Sequence, residues 1–139
     1  MNKQLAQVAE FQTAFGQNVA TKPTLVNETL SSLRYELMKE EIDEYLQACQ
    51  DGDLVEVADA LADQLYILCG TILEHGMQDI IVKCFDEVQR SNMSKLDDEG
   101  NPIINGNNGV FDESRPFGKI LKSSNFSEPN LLKIINESL

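Results

Sequence analysis

Positive charge is scarce in this 139-residue chain: 11 lysines and arginines stand against 23 aspartates and glutamates, a net of −12. That balance argues against nucleic acid as a partner, because a phosphate backbone needs a basic footprint. A small phosphorylated ligand stays open, since a bound metal inverts the local sign. No stretch approaches the ~18 apolar residues of a membrane span, and the polar N-terminus lacks a signal peptide's apolar segment. The expectation is a soluble, cytoplasmic protein with no membrane partner. No CxxC spacing links Cys49, Cys69 and Cys84, and each sits alone in an apolar periodic segment. They read as reduced core thiols, not as a disulfide, zinc ligands or a nucleophile. Internal repeats and low-complexity segments are missing, as is the strict alternation of a half-buried strand. The length suits one domain with a real core.

What is present is helical periodicity. Leu5, Val8, Ala9, Phe11, Gln12 and Phe15 recur at near-helical spacing and predict a helix over about 2–15, stopped at Gly16. A second helix is expected over about 25–49 with Gly52 as its stop, a third over 54–75 ending at Gly76, and a fourth over 78–92. The last forty-odd residues break into turns at 97–102, 105–109 and 115–118. Phe111, Phe117, Ile120, Leu121 and Phe126 in that stretch predict that it packs. A short helix near 130–137 closes the chain. The expected architecture is all-α, four to five helices with an antiparallel central pair and a long C-terminal loop segment. It forms one domain, 1–139, with a helical core at 1–95 and an extension at 96–139 packed on it.

Ten of the thirty residues from Arg34 to Asp63 are acidic. Glu36, Glu40, Glu41 and Glu44 lie on the second helix and Glu56, Asp59 and Asp63 on the third. At ~100° per residue, Leu54, Ala58, Leu61, Leu65, Leu68 and Ile72 fall on one line of the third helix, with the acids opposite. A wet amphipathic face is the ordinary explanation of such acids. It fits poorly here. Ile67 and Gly70 continue the acidic side as an apolar one, and no lysine or arginine lies between Lys39 and Lys83 to supply i,i+4 pairs. Glu56 has its own bland role, the returning half of a capping box begun by Asp53. On the second helix Tyr35, Met38, Ile42, Tyr45, Leu46 and Cys49 make an apolar stripe, with Glu36, Glu40 and Glu44 opposite. A hairpin turn at Asp51-Gly52-Asp53 sets the two helices antiparallel, so Glu41 and Glu44 can face Asp59 and Asp63. Crowded carboxylates repel, and a hard divalent cation is the simplest thing to offset them.

These residues resemble the MazG-like superfamily of all-α nucleotide pyrophosphohydrolases, whose signature is E-E-x-x-E on one helix and E-x-x-D on the next. Glu40-Glu41-Ile42-Asp43-Glu44 matches the first motif. The second fits in two registers. Glu56-Val57-Ala58-Asp59 matches its letters. Asp63-Gln64-Leu65-Tyr66 matches its usual context, but then Ala60 stands where the family has glutamate and Asp59 substitutes. The segment from Val57 to Tyr66 with Gly70, the run Arg90-Ser91-Asn92-Met93-Ser94-Lys95, and Gly118-Lys119-x-x-Lys122 are similar to a branch that includes dUTP-preferring enzymes.

The resemblance implies cleavage of a nucleoside triphosphate, dUTP or another pyrimidine deoxynucleotide, between the α and β phosphates, giving a monophosphate and pyrophosphate. It implies Mg²⁺, with Mn²⁺ as a substitute, held by Glu41, Glu44, Asp59 and Asp63 with Glu56 as a further candidate, and Glu40 orienting or deprotonating the water. Seven of the eleven basic residues lie from Lys83 onward. Among them Lys95, then Arg115 and Lys119, are the phosphate candidates. Asn92 is a candidate for phosphate or base, and Tyr66 for stacking or for the core. His75, beside Gly76, reads as a helix-end residue. The apolar faces and the resemblance together predict a homodimer or a dimer of dimers. The competing readings are a phosphoribosyl-ATP pyrophosphohydrolase activity and a non-enzymatic helical interaction module.

Overall fold

The computed structural model describes residues 1–139. Its elements in chain order are α1 (Asn2–Ala14), α2 (Glu28–Asp51), α3 (Leu54–Glu74), α4 (Ile81–Met93), β1 (Ile103–Ile104), β2 (Ile120–Leu121) and α5 (Leu131–Ser138). The architecture is all-α, as the periodicity predicts.

The α2–α3 hairpin follows from three residues. Asn27 caps α2, its side chain accepting from the Leu30 amide at 2.9 Å. Gly52 ends α2 at φ 68°, a left-handed conformation that a Cβ would penalise. The Asp53 amide donates back to the Ala48 carbonyl at 3.0 Å, while Asp53 Oδ1 accepts from the Val55 and Glu56 amides at 3.0 and 3.2 Å. One turn thus closes α2 and opens α3. Arg34 then reaches Ile67 and Thr71, and Gln64 reaches the Glu41 carbonyl, a pairing only antiparallel helices allow.

The chain divides into two compact units, Met1–Ile81 with Ser138–Leu139, and Val82–Glu137. In the first, Leu5 and Val8 of α1 pack on Cys69, Ile72 and Leu73 of α3. Amides of Ala20 and Thr24 bond to the carbonyls of Leu73 and His75, both at 2.9 Å, and tie the 17–24 segment to the end of α3.

In the second unit β1 and β2 pair antiparallel, Ile103 with Leu121 and Ile104 with Ile120. Two residues per strand are too few for alternation to show in the sequence. Arg90 grips Glu87 through two bonds of 3.0 and 2.8 Å and also donates to the Glu128 carbonyl. The Asn130 amide donates to the same Glu87 carboxylate at 2.8 Å, which anchors the start of α5 to α4.

Two core assignments change. The line from Leu54 through Leu61, Leu65 and Leu68 is exposed, as are Tyr35, Ile42 and Leu46 of α2. The buried side of α3 is instead Ala60, Cys69, Gly70 and Leu73. The reason is that within this unit α1 packs on the Cys69–Leu73 side, and of the predicted line only Ile72 reaches that core. Cys49 shares that open stripe and is exposed. Cys69 is fully buried, Cys84 is half-buried, and all three are free thiols.

Candidate active site

Glu41 is the centre of the acidic cluster. Its Oε2 is buried and has no hydrogen-bond partner. Burial pushes its carboxyl up to about 7, and Glu44, Asp63 and Glu40 add repulsion to the same effect. The hairpin therefore brings four of the predicted acids together: Glu40, Glu41 and Glu44 from α2, and Asp63 from α3.

Asp59 and Glu56 are exposed, and neither is among the charges acting on Glu41. Ala60 beside Asp59 is buried in the core. The capping box is half made. Asp53 caps α3, but its own amide is bonded to Ala48, leaving no amide for Glu56 to return to.

The acids do not form a ready cage, since no three acidic, histidine or cysteine side chains converge as a metal would require. The donor chemistry nevertheless fits a hard cation. All the donors are carboxylate oxygens, and one of them is buried, unpartnered and surrounded by like charge.

One helical turn away lies a cleft of about 260 Å³ lined by Phe11, Gln12, Arg34, Leu37, Tyr66 and Ile67, among others. Tyr66 is exposed to 41% and meets Phe11 edge-on at 5.6 Å, so it is not a core tyrosine. Gln12 is buried. Its Nε2 donates to the Asn18 carbonyl at 2.7 Å, and its Oε1 has no partner. Arg34 is also buried, its Nε donating to Thr71 Oγ1 at 3.0 Å and its Nη2 to the Ile67 carbonyl at 2.8 Å. Burial lowers the Arg34 pKa, and the buried Glu74 carboxylate opposes that shift.

Gly70 makes room for this pair. A Cβ there would lie 2.6 Å from Gln12 Oε1 and 3.2 Å from Arg34 Cζ. Sequence reasoning gave neither Gln12 nor Arg34 a role. The visible signal was a glutamine at an apolar position of the α1 repeat.

In the second unit, Lys95, Arg115 and Lys119 line one cavity of about 280 Å³ together with Lys122 and Asp112. Asn92 is exposed and is not part of that lining, though its carbonyl accepts from the Lys95 amide at 3.1 Å. His75 ends α3, with Nδ1 2.8 Å from the Thr24 carbonyl, a helix-end role as expected.

The family model for phosphoribosyl-ATP pyrophosphohydrolase matches residues 8–92, more than half of the chain. The chain belongs to this family. It is thereby a MazG-like pyrophosphohydrolase, a hydrolase of phosphoric anhydride bonds. No individual curated protein matches the chain. The family match takes in the acidic cluster and the cleft beside it, whereas Lys95, Arg115 and Lys119 of this pyrophosphohydrolase fall outside it.

Proposed function

We propose that this pyrophosphohydrolase cleaves a nucleoside triphosphate between the α and β phosphates, with dUTP or another pyrimidine deoxynucleotide as substrate and Mg²⁺ as cofactor. The observation that carries the reading is the half-buried Glu41 carboxylate, whose Oε2 is buried without a hydrogen-bond partner, crowded by Glu44 and Asp63. Glu41, Glu44 and Asp63 hold the ion, with Asp59 and Glu56 as outer candidates. When bound, Mg²⁺ neutralises the triphosphate and acidifies the attacking water. Glu40, exposed at the edge of the cluster, orients that water and accepts its proton.

The neighbouring cleft suits a base. Tyr66 and Phe11 offer aromatic surface along it. Asn92 stays a candidate for a polar contact to the substrate. The exposed apolar residues of α2 and α3 support self-association as a dimer or a dimer of dimers, since large exposed apolar surface marks an interface.

The family match favours a second substrate reading, phosphoribosyl-ATP, on the same carboxylates. It also favours an enzyme over an interaction module. The test is pyrophosphate release from a panel of ribo- and deoxynucleoside triphosphates and phosphoribosyl-ATP, with Mg²⁺ and then with EDTA. Mg²⁺-dependent release from a triphosphate is expected. Turnover of phosphoribosyl-ATP alone would transfer the assignment to it, and orthophosphate as the only product would overturn the αβ cleavage.

A further inference from the structure

The loop between β1 and β2 contains one dipeptide twice, Asn105-Gly106 and Asn108-Gly109, and the acidic cluster uses neither. Asparagine before glycine is the pairing in which a main-chain nitrogen most readily attacks the preceding side-chain amide. Glycine has no Cβ to obstruct the approach and turns freely. The fold treats the two copies in opposite ways.

Asn105 is caged. It is fully buried, and its Nδ2 donates to the carbonyls of Asp112, Arg115 and Pro116 at 3.0, 3.0 and 3.1 Å. Its Oδ1 accepts from the Asp112 amide at 2.7 Å. The nitrogen that would attack it, that of Gly106, is itself engaged, donating to the Val110 carbonyl at 2.7 Å. The main chain of Asn105 is also fixed, its amide donating to the Lys119 carbonyl at 2.8 Å and its carbonyl accepting from the Gly118 amide at 2.9 Å. Any reaction at Asn105 must first break this frame.

Asn108 is open. Both it and Gly109 are exposed, and neither the Asn108 side chain nor the Gly109 amide makes a hydrogen bond. Asn108 sits at φ 53°, the one non-glycine residue with a positive φ, and Gly109 follows at φ 75°. They form the centre of a tight turn closed by one bond, from the Val110 amide to the Asn107 carbonyl at 3.0 Å. The left-handed conformation is disfavoured for a residue with a Cβ. Rotation out of it, which brings the Gly109 nitrogen to the Asn108 side chain, breaks only that bond.

We infer that Asn108 is a site of spontaneous deamidation through a cyclic imide, and that the fold spares Asn105. The Gly109 nitrogen bonds to Asn108 Cγ, the Cγ–Nδ2 bond breaks, and ammonia leaves with the proton that the Gly109 nitrogen gives up. Water then opens the ring. Addition at Cγ gives aspartate, addition at the main-chain carbonyl carbon gives isoaspartate, and nothing is oxidised or reduced. Either product adds a negative charge to a chain already at −12. The new charge lies on the wall of a cavity of about 510 Å³ that Asn108 shares with Asp97 and Asn107. The chemistry belongs to the second unit alone and is independent of the hydrolysis proposed for the first.

The test is to age the intact protein in mildly alkaline buffer, digest it with trypsin and sequence the peptide over residues 96–119 by mass spectrometry. That peptide contains both asparagines. Asn108 should convert to aspartate and isoaspartate, and Asn105 about a hundredfold more slowly, since about three hydrogen bonds suppress its opened state by that factor. In denaturant the two should convert at similar rates. Equal conversion in the folded protein would overturn the proposal, as would an Asn108 that stays intact. Slow conversion of Asn105 in denaturant would assign its resistance to sequence and overturn the cage. Aspartate without isoaspartate would overturn the cyclic route. Asn108→Gln should leave the peptide unchanged over the same period, and deamidated product from that variant would place the reaction elsewhere.

Discussion

Asn105→Asp should damage the second unit more than Asn105→Ala, although aspartate has the asparagine's shape. The two amide hydrogens of Asn105 serve three carbonyls, and Oδ1 accepts from the Asp112 amide at 2.7 Å. Alanine loses about three hydrogen-bond equivalents, each worth about 1 kcal/mol net, or roughly 3 kcal/mol in all. Aspartate keeps the acceptor but turns a buried donor into a buried negative oxygen facing three carbonyl oxygens. That adds a desolvation and repulsion penalty on the order of 1–3 kcal/mol. Because the chain holds two compact units, a single global unfolding energy is a poor readout. Amide hydrogen exchange reports locally. The Gly118 amide, bonded to the Asn105 carbonyl at 2.9 Å, should lose protection in Asn105→Ala by about two decades and in Asn105→Asp by more. Amides of α1 and α3 should be unchanged in both. Equal protection in wild type and Asn105→Asp would refute the donor-cage account.

Gly70→Ala should destabilise the first unit by about 1–2 kcal/mol net of a helix-propensity gain near 1 kcal/mol, because its methyl displaces buried Arg34 or Gln12. A thermal melt that rises in this variant would contradict the packing. Asp63→Ala should cut Mg²⁺-dependent pyrophosphate release by about a hundredfold or more while leaving far-ultraviolet dichroism intact, since Asp63 is only half-buried. Retained turnover would remove Asp63 from the metal set. The Glu87 carboxyl is held down at about 2 by its bonds from Arg90 and then the Asn130 amide. Its folded value lies below the unfolded one near 4.5, so its contribution is present above pH ~4.5 and is lost as pH falls toward 2. Acid titration of the wild type should therefore loosen α5 across that window, monitored by exchange at residues 131–138. Glu87→Gln should show no such acid-dependent step.

The helices were legible because their apolar spacing and stop signals are local. Asn27, Gly52 and Asp53 act on neighbours within five residues, so the α2–α3 hairpin followed from one-dimensional pattern. The total acid content and the E-E-x-x-E run likewise pointed to a cation and a phosphate chemistry before any fold was considered.

Other features depended on which faces meet. The apolar line through Leu54 and Leu65 was a sound periodicity, yet α1 packs on Cys69 and Leu73 instead. Periodicity shows that a face is apolar, not which partner covers it. Between the two registers for the second acidic motif, only tertiary packing put Asp63 beside Glu41 and left Asp59 and Glu56 in solvent. Arg34, Gln12 and Gly70 lie up to 58 positions apart (12 to 70) and become one polar core only when three helices close on them. The gathering of Lys95, Arg115 and Lys119 is of the same kind. A loop has no repeat to read, and a buried asparagine with three carbonyl partners decides where its cations stand.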